Sequence, residues 1–233
     1  MIRVTTGSRV HFGMLMPAPL EKPARRYGGV GLMVDSPGLS LTIQPDENWN
    51  SEGPLADRAL AFAHRFVDSL EEPIAPHRLI VESAPKDHVG LGTGTQLGLA
   101  VAHGLARLCH LDLSIWDLAR RVGRGRRSAL GVYGFERGGF LVEAGQGSAD
   151  CPPPLIASHP FPEEWGILLL TPEGERGRHG QPEEEVFNDL NEARQIDELA
   201  RLVLLGILPA LHEMDLDTFG ESVYELNRKV GER

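Results

Sequence analysis

Residues 90–96, Gly-Leu-Gly-Thr-Gly-Thr-Gln, carry the most specific chemical signal in the chain. Three alternating glycines let backbone N–H groups approach a ligand closely and take dihedrals closed to other residues. The segment follows a short apolar run at 78–82. It opens a helical pattern in which Leu97, Val101, Leu105 and Leu108 recur every three or four residues. A helix start leaves four N–H groups without an acceptor and carries partial positive charge, so such a loop suits phosphate. Two Thr hydroxyls and a Gln amide add donors. The plain alternative is a tight strand-to-helix turn with no ligand, which has no use for those donors.

Arginines supply the second signal. Arg120, Arg121, Arg124, Arg126 and Arg127 fall within eight residues of a chain whose net charge is -10, and a local positive field of this kind draws anions. Only three of the 23 Lys and Arg are Lys, and Arg brings the planar fork that matches phosphate and carboxylate. A cation-favouring helix end accounts for Arg120 and Arg121. It accounts poorly for Arg126 and Arg127, beyond Gly123 and Gly125. Arg25-Arg26-Tyr27-Gly28-Gly29 is a third basic patch, or else an ordinary surface loop. His11 and His88 each adjoin a strand end or Gly-rich segment. His103 and His110, seven apart, miss the i, i+4 metal spacing and read as packing residues, with Cys109 beside them in the core. No GxxxxGK[ST], GxGxxG, HExxH or GxSxG pattern occurs.

The elements that must position these residues follow from periodicity. Residues 2–15 alternate and suggest a strand pair turning near Gly7. Residues 16–31 read as a Pro- and Gly-rich loop, 39–43 as a strand and 54–70 as a helix. Ser114 and Asp117 form a capping box for a helix at 115–122. A strand is expected at 139–143, and Pro152–Pro154 punctuate a boundary. Residues 165–171 read as a strand buried on both faces, 172–182 as a polar loop and 183–208 as a long helix. Thr218 and Glu221 are expected to cap a last helix. The second half then holds helices and one strand with no sheet to cover. The chain is expected to divide into a domain at 1–154 and a partial one at 155–233 that lacks a C-terminal portion.

Composition narrows the function. A chain of 233 residues can bury a sizeable core, and its 41% hydrophobic and 24% charged content excludes a wholly disordered one. The acidic balance disfavours nucleic acid as a partner. No apolar run is long enough for a membrane helix, and no basic-then-apolar leader opens the chain. With two cysteines, too few for a disulfide framework, a cytoplasmic location is expected.

The order of these features resembles the GHMP kinase superfamily. Residues 7–13 look like its first motif and 90–96 like its central phosphate loop. The whole pattern is closer still to one branch, the beta-ribofuranosylaminobenzene 5'-phosphate synthases. The stretches that carry this are SRVHFGML (8–15), RRYGGVGL (25–32), HVGLGTGTQLGLAVA (88–102), RGRRSALGVYGFERGGFLVEAG (124–145) and GRHG (177–180). The resemblance implies an α+β fold in two parts: an N-terminal mixed sheet with helices, then a ferredoxin-like C-terminal domain, here incomplete. Two departures weigh against phosphoryl transfer: Gly131 stands where kinases of this group that use an Asp base carry it, and Gly94 stands where a second loop Ser, often a magnesium ligand, would be. Thr93 or Thr95 remains to replace that ligand.

The resemblance implies a magnesium-dependent pentosyltransferase. It joins phosphoribosyl pyrophosphate to 4-aminobenzoate with loss of CO2 and pyrophosphate, in the making of the one-carbon carrier tetrahydromethanopterin. Residues 90–96 (Gly90, Gly92, Thr93, Gly94, Thr95, Gln96) are then expected to bind pyrophosphate. Arg126 and Arg127 add charge to a phosphate, and Arg26 pairs with the aromatic carboxylate. His11 and His88 handle polar contacts or protons, and Glu136 touches ribose or metal. Alternatives are an ATP-dependent small-molecule kinase and an inactive ligand-binding homologue. A homodimer is a further expectation.

Overall fold

A computed structural model describes residues 1–16, 25–126, 128–147, 151–171 and 196–231. Their elements in chain order are strands β1 (Ile2–Met16), β2 (Tyr27–Pro45) and β3 (Asn50–Glu52), helix α1 (Ala56–Val67), strand β4 (His77–Ser83), and helices α2 (Thr93–Leu108), α3 (Ile115–Arg121) and α4 (Leu130–Arg137). Strands β5 (Phe140–Glu143) and β6 (Leu155–His159) follow, then helices α5 (Ile196–Leu202), α6 (Leu208–Glu213) and α7 (Leu216–Gly231). A π-helical stretch, Val203–Ile207, joins α5 to α6. The protein is α+β.

Contacts divide the chain into two units, each discontinuous in sequence. The first comprises Met1–Val10, Met33–Arg126 and Gly131–Gly138; the second comprises His11–Leu32, Arg127–Leu130 and Gly139–Arg233. The boundary expected at 154/155 falls within the last of these segments.

In the first unit β3 runs parallel to β4, and β4 pairs antiparallel with the second half of β2, in register Ile43↔Leu79 and Leu41↔Val81. Alternation drives this: His77, Leu79 and Val81 of β4 are buried, as are Leu39, Leu41 and Ile43 of β2. Helix α1 turns Ala59, Phe62, Ala63 and Phe66 inward, the spacing of one helical face. Helix α2 is buried over most of its length and sits in the same core. Gly104 lets it approach the sheet, since a Cβ there would lie 2.7 Å from Ile43 Cδ1. The capping box of α3 is present: the Ser114 hydroxyl accepts the Asp117 N–H, and the Asp117 carboxylate accepts the Ser114 N–H.

In the second unit the first half of β2 pairs antiparallel with β5 (Gly29↔Glu143, Leu32↔Phe140), and β5 pairs with β6 (Phe140↔His159). Phe12, Phe140, Phe161, Trp165 and Phe219 form a chain of ring contacts with centroids 5.2–6.0 Å apart.

Four expectations are corrected. Residues 2–16 are one strand with no turn at Gly7. Glycine is needed there because a Cβ would overlap the Val34 carbonyl oxygen. Part of the expected 16–31 loop, from Tyr27 onward, is strand; residues 17–24 lie outside the described residues. Residues 165–171 are not a buried strand, and Leu168 and Leu170 are each 80% exposed. No described strand pairs with this run, and an apolar segment without a hydrogen-bonding neighbour has no ladder to join. The last helix begins at Leu216, and its cap is Asp215, whose Oδ1 accepts the Thr218 N–H. The expected loop and helix at 172–195, with residues 177–180, lie outside the described residues, and α5 begins at Ile196.

Candidate active site

The loop between β4 and α2 has the backbone that its glycines predict. Gly90 (φ 84) and Gly92 (φ 68) are left-handed, and so is His88 (φ 60). Gly92 is the N-cap of α2; its carbonyl accepts the N–H groups of Thr95 and Gln96. The N–H groups of Gly92, Thr93 and Gly94 therefore stand at the helix start with no acceptor inside the helix. A Cβ on Gly90 would meet nothing within 4 Å, so the loop is open there. This is the geometry of an anion cradle.

The side chains of the first turn divide differently from expectation. Gln96 is 1% exposed, and its amide is committed inside the protein. Oε1 accepts the Thr6 hydroxyl at 2.6 Å, and Nε2 donates to the Gly131 carbonyl at 2.9 Å. The side chain thus ties β1 and α4 to α2, a structural task. The buried Thr93 hydroxyl donates to the Lys86 carbonyl at 3.2 Å, bracing the loop. Thr95 stands half-buried, its methyl toward Gly131.

Asp87 is the electrostatic hub. Its Oδ2 accepts from Arg58 Nη1 and lies 3.3 Å from His88 Nε2, while Oδ1 accepts the His88 N–H at 3.1 Å. Burial pushes the carboxyl upward, but the hydrogen bond and charge of Arg58 outweigh it. They hold Asp87 below the ordinary carboxylate value. Arg58 also packs across the first turn of α2: a Cβ on Gly94 would overlap its Nη2. Arg9 packs on Gly92, where a Cβ would lie 3.2 Å from its Nε, and its own N–H donates to the Leu91 carbonyl. The sequence pattern missed both arginines because they come from β1 and α1, far from the loop in sequence.

Arg126 shares the first unit with the loop and is exposed. Arg127 lies outside the described residues. Glu136 is exposed on α4, its carboxylate 3.6 Å from Arg137 Nε. His103 packs edge-on against Phe135 at 5.9 Å, as expected of a packing residue, and its burial lowers its proton affinity.

The second unit gathers another group of the expected residues. The His11 Nδ1 accepts the Gly13 N–H at 3.1 Å, and a Cβ on Gly29 would lie 3.0 Å from His11 Nε2. Arg26 exchanges backbone hydrogen bonds with Gln146 in an isolated bridge, leaving its side chain exposed. Glu143, absent from the expected set, is fully buried. Both of its oxygens accept the Ala129 N–H at 2.9 Å, and one accepts the Ser128 hydroxyl at 2.8 Å. Its signal in the sequence was an acid ending an apolar run, Phe140-Leu141-Val142-Glu143, at the edge of a Gly segment.

The expected magnesium ion finds no protein-built cage among the described residues, where no three His, Cys, Asp or Glu gather as a metal site. The loop's single carboxylate, Asp87, is engaged by Arg58 and His88. No described helix is long and apolar enough to cross a membrane.

No protein-family model matches the chain. Among solved structures, mevalonate kinase from Methanococcus jannaschii superposes with a TM-score of 0.62 at 12% identity, over 99% of this chain and 79% of that one. This likeness gives the fold, that of the GHMP kinases. Sequence relatives go further. Over 96% of its length the chain is 32% identical to beta-ribofuranosylphenol 5'-phosphate synthase of Methanothermobacter thermautotrophicus, spanning 74% of that relative. It is 30% identical over its whole length to the synthase of the same name from Archaeoglobus fulgidus, spanning 78% of it. On this likeness, which runs along nearly the whole chain at 30% identity or more, the protein belongs to the beta-ribofuranosylphenol 5'-phosphate synthase family.

Proposed function

We propose that the protein joins phosphoribosyl pyrophosphate to a para-substituted benzoate and releases CO2 and pyrophosphate. One observation carries this reading: the likeness to two synthases runs along the whole chain. The reaction balances without a base. The bond from the sugar C1 to the diphosphate oxygen breaks, and its electron pair leaves with pyrophosphate. A new bond forms between C1 and the ring carbon that bears the carboxylate. The carbon–carbon bond to the carboxylate then breaks, its electrons restore the aromatic ring, and CO2 departs. No proton is gained or lost, so the absence of a kinase-type Asp at Gly131 costs this reaction nothing.

The protein's part is placement and charge. The N–H groups of Gly92, Thr93 and Gly94 receive diphosphate oxygens, and Arg126 adds positive field. Magnesium arrives on the substrate's own diphosphate. Arg26 pairs with the aromatic carboxylate, and His11 and His88 supply polar contacts. The relatives' name describes a phenol product, which the same balance yields from 4-hydroxybenzoate; 4-aminobenzoate yields the aminobenzene.

The test incubates the protein with phosphoribosyl pyrophosphate, Mg2+ and each acid labelled in its carboxyl carbon. Labelled CO2 formed in step with pyrophosphate is expected. Neither acid releasing label would sink the proposal, and ATP consumption with a hydroxylated metabolite would replace it by the kinase alternative.

A further inference from the structure

Arg58 lies on α1, 29 residues before Asp87, and no spacing in the sequence connects it to the phosphate loop. The fold places it there firmly. Its Nη1 donates to Asp87, its guanidinium carbon stands 5.9 Å from the Phe62 ring centroid, and its Nη2 lies along Gly94. Arg124 comes over the same Phe62 ring at 4.9 Å, so two guanidinium groups share that ring.

An ion pair alone does not account for this placement. Asp87 is satisfied by Nη1, and the second nitrogen is the one that runs along the helix start. That location already carries positive potential from the free N–H groups, so a cation there is disfavoured by itself. The arrangement becomes favourable when an anion sits at the helix start and meets N–H groups and guanidinium together. Gly94 lets Arg58 lie against the helix start, since any side chain there would displace it. Arg58 remains 27% exposed, within reach of a ligand from solvent.

We infer that Arg58 is a direct ligand of the substrate's diphosphate. Nη1 stays on Asp87, and Nη2 joins the N–H groups of Thr93 and Gly94 around the diphosphate oxygens. The inference rests on the loop being the diphosphate site. Because the diphosphate is the leaving group, Arg58 stabilises charge that grows as the C1–oxygen bond breaks.

Titration calorimetry with inorganic pyrophosphate tests this on the wild type, Arg58→Ala, Arg58→Lys and Arg120→Ala. Arg120 serves as control because its side chain is exposed and paired with Asp117 on its own helix, α3. Arg58→Ala is expected to weaken binding by about tenfold or more, and Arg120→Ala to leave it unchanged. Arg58→Lys falls between, since an ammonium keeps the charge but not the fork. Added guanidinium ion is expected to recover affinity in Arg58→Ala, which a purely structural arginine would not show. Wild-type affinity in Arg58→Ala overturns the inference while leaving the loop reading intact. Should Arg58→Ala fail to fold, wild-type affinity in Arg58→Lys overturns it equally. No pyrophosphate binding by the wild type overturns both.

Discussion

The Glu143 carboxylate receives the Ala129 backbone N–H at 2.9 Å on each of its two oxygens. Fully buried, it is held by this N–H and the Ser128 hydroxyl just ahead of α4. Replacing it with Ala leaves two donors without their acceptor, each costing about 1–3 kcal/mol when buried. Glu143→Ala is therefore expected to lose several kcal/mol of unfolding free energy in urea, and Glu143→Gln distinctly less. Equal losses would mean that packing volume matters there and the hydrogen bonds do not.

Gln96 makes a comparable case inside the first unit. Gln96→Leu fills the space but strands the Gly131 carbonyl and the Thr6 hydroxyl. A loss of about 1–3 kcal/mol in denaturant unfolding is expected. Wild-type stability in this variant would show that the bridge from Thr6 to Gly131 carries no energy.

Gly94 gives a prediction whose sign reverses. In an isolated helix Ala is better than Gly by about 1 kcal/mol. Here a Cβ overlaps Arg58 Nη2, so Gly94→Ala is expected to destabilise the wild type. In an Arg58→Ala background the same change is expected to stabilise. A thermal-melt double-mutant cycle measures the coupling; additive effects would contradict the contact.

Asp87 makes stability depend on pH in one direction. Its folded value lies below the ordinary 3.8, so the unfolded chain binds the proton first as pH falls. The carboxylate's contribution is thus complete above the ordinary carboxylate range and fades as pH falls through the folded value. The advantage of wild type over Asp87→Asn should be constant near neutrality and shrink below about pH 4. An advantage that grew on acidification would refute the pairing with Arg58.

Arg126 tests the proposed field around the loop. Losing a charge-assisted phosphate bond costs about 1.5–3 kcal/mol. Arg126→Ala should therefore raise the Kd for phosphoribosyl pyrophosphate by about a decade or more, with a weaker dependence on salt. Unchanged affinity would remove Arg126 from the site.

What the sequence showed clearly was local. The helical spacing from Leu97 and the Ser114–Asp117 box need only near neighbours, and both are present. The left-handed glycines of the loop are local too. What it concealed depended on partners distant in the chain. Gly7 looked like a turn because glycine serves turns and close backbone approaches alike, and only Val34 across the sheet decides between them. Residues 165–171 looked buried because apolar side chains report a need for cover and not its presence. Gln96 looked like a phosphate donor until Thr6 and Gly131 claimed both ends of its amide. Arg58 and Arg9 had no signal at all, since an arginine on α1 or β1 is unremarked until the fold lays it on a glycine.

The hydrogen bond from the Gly13 N–H to His11 Nδ1 fixes which tautomer the imidazole adopts. A nitrogen that accepts an amide must carry its lone pair toward it, so the ring's hydrogen sits on Nε2, the edge that faces Gly29. At that edge the neutral ring is a donor. Under the proposed reaction, which shuttles no proton, the place of such a ring is to orient a polar group and not to move a proton.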